Sequence, residues 1–247
     1  MAGHSKWANI KRHKAKQDAK RGKVYTKIIR EVTVAARMGG GDSSANPRLR
    51  AALDKAQEAN ISKDVIERAI KRGAGGMEGE VLEEIRYEGY GPGGTAFIVD
   101  CMTNNRNRTV ADVRHAFSKH GGNLGTTGSV AYLFKQQGVI TFAPGVDEER
   151  LMEYALELNA MDIIVNHDKS VDILTTLEAF IPIKTALLKA GFQAVQAEIM
   201  MRAETDISIQ DKEIAENVLS LVDMLEDLDD VQSVYANAAI AEQVLSE

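Results

Sequence analysis

The first thirty residues carry an excess of positive charge that suits them to binding phosphate groups. They contain ten Lys and Arg residues and a single acid, Asp18, which gives a net charge of +9. Because the formal charge of the whole chain is −6, the other 217 residues carry −15. A cationic segment on an acidic body is typical of a protein that binds a polyanion. The segment attracts the polyanion, and the negative charge of the body keeps the rest of the surface away from it.

Six of these cations would lie along one side of a helix, because Lys or Arg occupies positions 12, 16, 20, 23, 27 and 30. Residues 1–21 hold few large apolar side chains, which predicts a flexible arm. Trp7 and Tyr25 are candidates for stacking on bases, and packing of Trp7 against the first helix is the alternative. The predicted nucleic-acid-binding residues are Lys6, Trp7, Lys11, Arg12, Lys14, Lys16, Lys20, Arg21, Lys23, Lys27, Arg48 and Arg50.

The other residues that carry chemistry form no recognisable catalytic or metal-binding set. The chain has one cysteine, Cys101, and its five histidines fit neither an H-E-x-x-H nor a C-x-x-C pattern. GYGPGG at 89–94 matches a dinucleotide-binding spacing, but strand-forming residues follow where that motif requires a helix, so a hairpin is favoured. GGNLGTTG at 121–128 lacks the GK[ST] of a phosphate-binding loop. We therefore expect no enzyme activity, no cofactor and no metal.

The expected location is the cytoplasm. No stretch approaches the roughly 20 apolar residues that span a bilayer. The basic N-terminus is not followed by the apolar run of a secretory signal. A single thiol forms no internal disulfide, which fits a reducing compartment.

The sequence pattern predicts an α/β protein of the α+β type. Apolar periodicity predicts helices at 22–38, at 47–59 and from 63 onward, which gives a three-helix domain over 22–76. Strand and helix patterns between 137 and 202 follow the order βαββαβ, which predicts a ferredoxin-like domain. We expect this domain to be inserted into a second ferredoxin-like mixed domain made of 77–136 and 203–247, whose sheet includes a strand at 129–134.

Several long segments resemble the YebC/PmpR family. They are AGHSKWANIKRHKAKQDAKRGKVYTKIIREV at 2–32, NPRLRAALDKA at 46–56, YEGYGPGGTA at 87–96, NRTVADVRHAFSKHGGNLGTTGSVAYLF at 107–134 and DVQSVYAN at 230–237. The resemblance implies a three-domain cytoplasmic protein that acts in gene expression. Family members are generally described as DNA-binding transcriptional regulators. A mitochondrial relative is a translational activator of a cytochrome oxidase subunit, and some bacterial members resemble ribosome-associated factors that aid synthesis through proline-rich stretches.

Two functions follow, and both depend on the same phosphate electrostatics. The expected one is a DNA-binding transcriptional regulator, which the resemblance favours. The alternative is a translation factor that binds ribosomal RNA, because no zinc finger, RRM or helix-turn-helix signature for reading bases is evident. Either function predicts DNA or a ribosome as the partner, without a membrane or an obligatory small molecule.

Overall fold

The computed structural model describes residues 21–75, 81–166, 168–241 and 244. Within them, seven α-helices are formed: α1 Arg21–Gly39, α2 Pro47–Glu58, α3 Lys63–Gly73, α4 Arg106–Lys119, α5 Glu148–Glu157, α6 Leu177–Lys189 and α7 Lys212–Glu226. The strands are β1 Glu83–Tyr90, β2 Ala96–Thr103, β3 Asn123–Leu124, β4 Phe134–Phe142, β5 Asp162–Val165, β6 Val171–Thr175, β7 Gln196–Ala203, β8 Ile207–Ile209, β9 Val231–Ala236 and β10 Ala238–Ile240.

The first three helices pack through small residues, which brings their backbones close together. Val32 and Ala35 of α1 share a buried core with Leu49 of α2 and Ala69 of α3. A Cβ atom on Gly73 would lie only 2.2 Å from a carbonyl oxygen of α1, so glycine is required where α3 crosses α1. The three-helix unit predicted from the sequence is confirmed.

A first antiparallel sheet has the strand order β3-β1-β2-β9. Helices α4 and α7 cover one of its faces, where Phe97, Phe117 and Leu221 are fully buried. The rings of Phe97 and Phe117 meet edge to face with 5.8 Å between their centroids. GYGPGG forms the expected hairpin, because β1 and β2 pair along their whole lengths and only a short 3-10 turn, Pro92–Gly94, lies between them.

A second antiparallel sheet has the order β5-β6-β4-β7 and comes from one continuous run of chain. The first and third strands of this run, β4 and β6, lie at its centre, as in a ferredoxin-like βαββαβ unit. Helices α5 and α6 bury Ile140, Leu151, Ile173 and Ile183 against one face. The predicted α+β fold class is confirmed.

The predicted strand at 129–134 is wrong. A 3-10 turn, Ala131–Leu133, occupies half of that segment, and Phe134 begins β4 of the second sheet. The carboxylate of Glu88 accepts hydrogen bonds from the backbone N–H groups of Val130 and Ala131, which are therefore unavailable to a strand partner. The edge strand of the first sheet is instead the two-residue β3, which lies within GGNLGTTG at 121–128.

Asn46 joins the end of α1 to the start of α2, and its replacement should destabilise the helical domain. Its Nδ2 donates to the carbonyl oxygens of Ala35 and Gly40 at 2.8 and 2.9 Å, and its Oδ1 accepts from the N–H of Leu49 at 3.0 Å. Loss of a helix cap together with unpaired buried carbonyl groups should lower the free energy of unfolding by about 2–4 kcal/mol in Asn46→Ala. Urea denaturation measures this change.

Asn46→Asp is the matched variant, because it keeps the oxygen that caps α2 and loses the two donated hydrogen bonds. Its second carboxylate oxygen would face the carbonyl oxygens of Ala35 and Gly40, so its free energy of unfolding should also lie well below that of the unaltered chain. Equal stability of all three proteins would contradict this role of Asn46.

Candidate nucleic-acid interface

The cationic side of α1 contacts the C-terminal end of α7. Lys23 Nζ donates to the carbonyl oxygen of Asp227 at 2.6 Å, and Lys27 Nζ donates to that of Glu226 at 3.0 Å. The last carbonyl groups of a helix lack donors within the helix, and the helix dipole favours cations beside them. Burial lowers the pKa of Lys27, and the nearby charge of Glu226 opposes this. The two lysines therefore cap α7.

Asp230, which lies between α7 and β9, connects α1 to the first sheet and to α4. Its Oδ1 accepts from Arg30 Nη1 at 3.1 Å, and its Oδ2 accepts from Arg108 Nη2 at 2.7 Å. The hydroxyl of Thr109 lies 2.8 Å from the same Oδ2. The residue is only 6% exposed. One buried carboxylate thus binds groups from two helices.

The surroundings of Asp230 stabilise its charged form. Burial alone would raise the pKa of Asp230. Hydrogen bonds from Arg108 and Thr109, together with the charges of Arg108 and Arg30, outweigh burial, so the pKa lies below its ordinary value. The contact therefore needs an ionised carboxylate.

Arg48 makes a second connection between the helical domain and the first sheet. Its Nε lies 2.7 Å from Glu31 Oε1 in α1, and its Nη1 lies 3.1 Å from Glu84 Oε2 in β1. The hydrogen bond with Glu31, followed by that with Glu84, raises the pKa of Arg48 above its ordinary value. Farther along α2, Lys55 Nζ lies 4.0 Å from Glu198 Oε2 in β7.

These polar contacts hold the helical domain without a shared apolar core. Each hydrophobic cluster found among the described residues lies either entirely within α1 to α3 and their loops or entirely within the rest of the chain. Charge complementarity therefore positions the three helices against the sheets, and inter-domain surfaces of this polar kind are weaker than apolar ones.

The predicted binding residues have different surroundings. Lys23, Lys27 and Arg48 make the contacts described above, whereas Arg50 is exposed and donates from Nη2 to the carbonyl oxygen of Ser44 at 2.8 Å. Arg21 begins α1, and its side chain lies outside the described residues. Lys6, Trp7, Lys11, Arg12, Lys14, Lys16 and Lys20 also lie outside them.

Asp230 and Arg108 were not among the residues predicted from the sequence. Both lie in segments that carry the family resemblance, but their contact joins positions 122 residues apart, and nothing in the local sequence predicts the pairing. Arg30 belonged to the predicted cationic stripe, but the spacing of that stripe did not indicate a buried acid as its partner.

The described ranges contain no group of three or more His, Cys, Asp or Glu residues arranged to hold a metal ion. Cys101 is buried, and burial raises the pKa of its thiol to about 12, so the thiol is protonated and unreactive at neutral pH. Among the helices in these ranges, none is long and apolar enough to cross a membrane.

Fold and interface together define a class of α+β protein in which a cation-rich three-helix domain is held by polar contacts against two antiparallel sheets, each covered by helices on one face. Residues 5–76 match the family model described as "TACO1/YebC protein N-terminal domain". Residues 82–238 match that described as "TACO1/YebC second and third domain". The chain belongs to the TACO1/YebC family, and the resemblance seen in the sequence is confirmed.

Individual relatives cover the chain almost completely. Proteins from Francisella philomiragia subsp. philomiragia and from Francisella tularensis subsp. novicida, each named "Probable transcriptional regulatory protein", are 61% identical over 247 residues, which is 100% of this chain and 99% of theirs. The crystal structure of a conserved hypothetical protein from Aquifex aeolicus is similar with a TM-score of 0.83 and 47% identity. The match covers 94% of this chain and 96% of that one.

Asp230→Asn tests the charged contact through its dependence on pH. The folded-state pKa of Asp230 is depressed, so its stabilisation is present at neutral pH and is lost as the pH falls below the ordinary carboxyl value of about 3.9. Because the variant leaves two arginines without their anion, we expect a loss of about 3–5 kcal/mol at pH 7. Urea denaturation between pH 7 and pH 2 should show this loss shrinking as the solution is acidified.

Asp229→Asn is the matched control, because Asp229 precedes Asp230 in the chain and is exposed. Its free energy of unfolding should remain within about 0.5 kcal/mol of that of the unaltered chain at every pH tested. A loss in Asp230→Asn that is independent of pH would contradict the charged contact.

Proposed function

We propose that the chain is a nucleic-acid-binding regulator of gene expression that binds DNA phosphates through residues 1–21 and controls transcription. The observation that carries this proposal is the separation of charge, with seven cations and one acid in residues 1–21 of a chain whose residues 31–247 carry −15. Neutralised phosphates release counterions, which supplies affinity for any nucleic acid. The name "Probable transcriptional regulatory protein" of relatives at 61% identity supports a regulatory role.

We assign two different roles to the predicted cations. Those before α1 contact phosphates, while Lys23 and Lys27 cap α7 and so hold α1 in place. Arg50 is exposed near the start of α2 and extends the phosphate-binding surface onto the helical domain. The proposed role is not catalytic, needs no cofactor and is performed in the cytoplasm.

Binding to ribosomal RNA is the second candidate, and the contacts of α1 favour it. A helix that reads bases in the major groove must present one side to the DNA. The cationic side of α1 faces α7 and Asp230 instead. Double-stranded RNA is recognised mostly through its shape, phosphates and 2′-hydroxyls, so phosphate contacts without base readout suit ribosomal RNA better than they suit a sequence-specific DNA site.

Neutralising part of the arm should weaken binding in a salt-dependent manner. In a triple variant with Lys11→Gln, Lys14→Gln and Lys16→Gln, up to three phosphate contacts are lost. The slope of log Kobs against log salt should therefore become shallower by about 2–3 for duplex DNA. Fluorescence anisotropy with labelled duplexes measures the slope, and parallel titrations against purified ribosomes show which partner is held more tightly.

Two control variants separate the arm from the rest of the chain. Lys169→Gln, Lys184→Gln and Lys189→Gln remove the same charge from the turn between β5 and β6 and from helix α6, and should leave the slope unchanged. Lys23→Gln with Lys27→Gln should lower the melting temperature but change affinity by less than about twofold, because caps contribute to stability. An unchanged slope in the arm variant would contradict the proposed site.

A further inference from the structure

Two exposed aromatic rings lie together on the first sheet, on the face opposite α4 and α7. All six phenylalanines are buried, and of the six tyrosines only Tyr90, at 39%, and Tyr132, at 68%, are exposed. Partial burial, and next the side chain of Tyr132, raises the pKa of Tyr90, whose hydroxyl also reaches the backbone of Ser129 three positions before Tyr132. The two side chains are therefore neighbours. We call these residues the tyrosine pair.

The backbone beneath the tyrosine pair is fixed by a buried carboxylate. Glu88 is 3% exposed, and its two oxygens accept from the N–H groups of Gly128, Val130 and Ala131 at 2.7 to 2.8 Å. The hydroxyl of Tyr90 donates to the carbonyl oxygen of Ser129 at 3.0 Å. A surface that is ordered before binding loses little conformational entropy when a ligand arrives.

The segment that carries Tyr132 differs in charge from the body around it. Residues 113–146 contain no Asp or Glu, although residues 31–247 carry a net charge of −15. Of its three cations, Arg114 and Lys119 belong to α4 on the opposite face of the sheet, and Lys135, three positions after Tyr132, pairs with Glu204 just after β7. The one carboxylate directly beneath the pair, Glu88, is buried and satisfied by backbone donors. An anionic ligand therefore meets little repulsion here.

We propose that the tyrosine pair is a stacking site for unpaired bases of single-stranded nucleic acid. Exposed tyrosine rings offer flat π faces, and every base has a matching face, whereas bases inside a duplex are stacked on each other and out of reach. This inference rests on the proposed function, because it adds a base contact to the phosphate contacts of the arm. Single strands of RNA and of DNA both offer unpaired bases for this stacking.

Tyr132→Ala should weaken binding of a single-stranded oligonucleotide by about 5- to 150-fold, the loss typical of one stacked base. The salt slope should stay unchanged, because no phosphate contact is removed. Tyr132→Phe keeps the ring and should bind as the unaltered chain does. Fluorescence anisotropy with the full chain and labelled 12-nucleotide RNA and DNA strands measures these affinities. The strand that is bound more tightly shows whether ribose or deoxyribose is preferred.

Leu188→Ala is the control, because Leu188 is 61% exposed on α6, away from the first sheet. Its affinity should be unchanged, and the melting temperatures of all three variants should match that of the unaltered chain. Equal binding of single strands by Tyr132→Ala and the unaltered chain, together with weaker binding by the arm triple variant, would overturn the stacking site and leave the proposed function standing. Failure of the unaltered chain to bind any nucleic acid would overturn both.

Discussion

A buried carboxylate, that of Asp230, fixes the position of the helical domain on the rest of the molecule. Taking this charge out of water is costly, and the two arginines and the threonine hydroxyl around it offset that cost. The helical domain shares no hydrophobic cluster with the sheets in the described part of the chain. Its orientation therefore depends on pairing between its cations and acidic groups of the rest of the chain. This pairing keeps the cation-rich domain attached to the acidic body.

The same constraint divides the cationic stripe into two parts. Lys23, Lys27 and Arg30 are used inside the molecule, where they contact the end of α7 and Asp230. The other cations of the stripe precede α1 in the sequence. In our account the internal contacts anchor the first residues of α1, and the arm that precedes it is the part that meets phosphates. Glu88 has an analogous role on the opposite side of the first sheet, since it fixes the loop beneath the tyrosine pair.

Much of the fold was predictable because local signals agree with it. Asn46 followed by proline marks the start of α2, and the alternation of helix and strand patterns predicts the βαββαβ sheet. The strand predicted at 129–134 was wrong because a side chain 42 positions away, that of Glu88, takes the hydrogen bond of Val130. Sequence periodicity does not predict contacts between residues far apart in the chain. The pairing of Arg108 with Asp230 was not predicted for the same reason.

The most direct test of the account compares the intact chain with a variant lacking residues 1–21. Both proteins would be titrated with salt against duplex DNA and against purified ribosomes. We predict that the truncated chain keeps its melting temperature, because the contacts of Asp230 remain, and loses most of its salt-dependent affinity for the nucleic acid that the intact chain prefers. Equal affinity and equal salt dependence of the two proteins would contradict it.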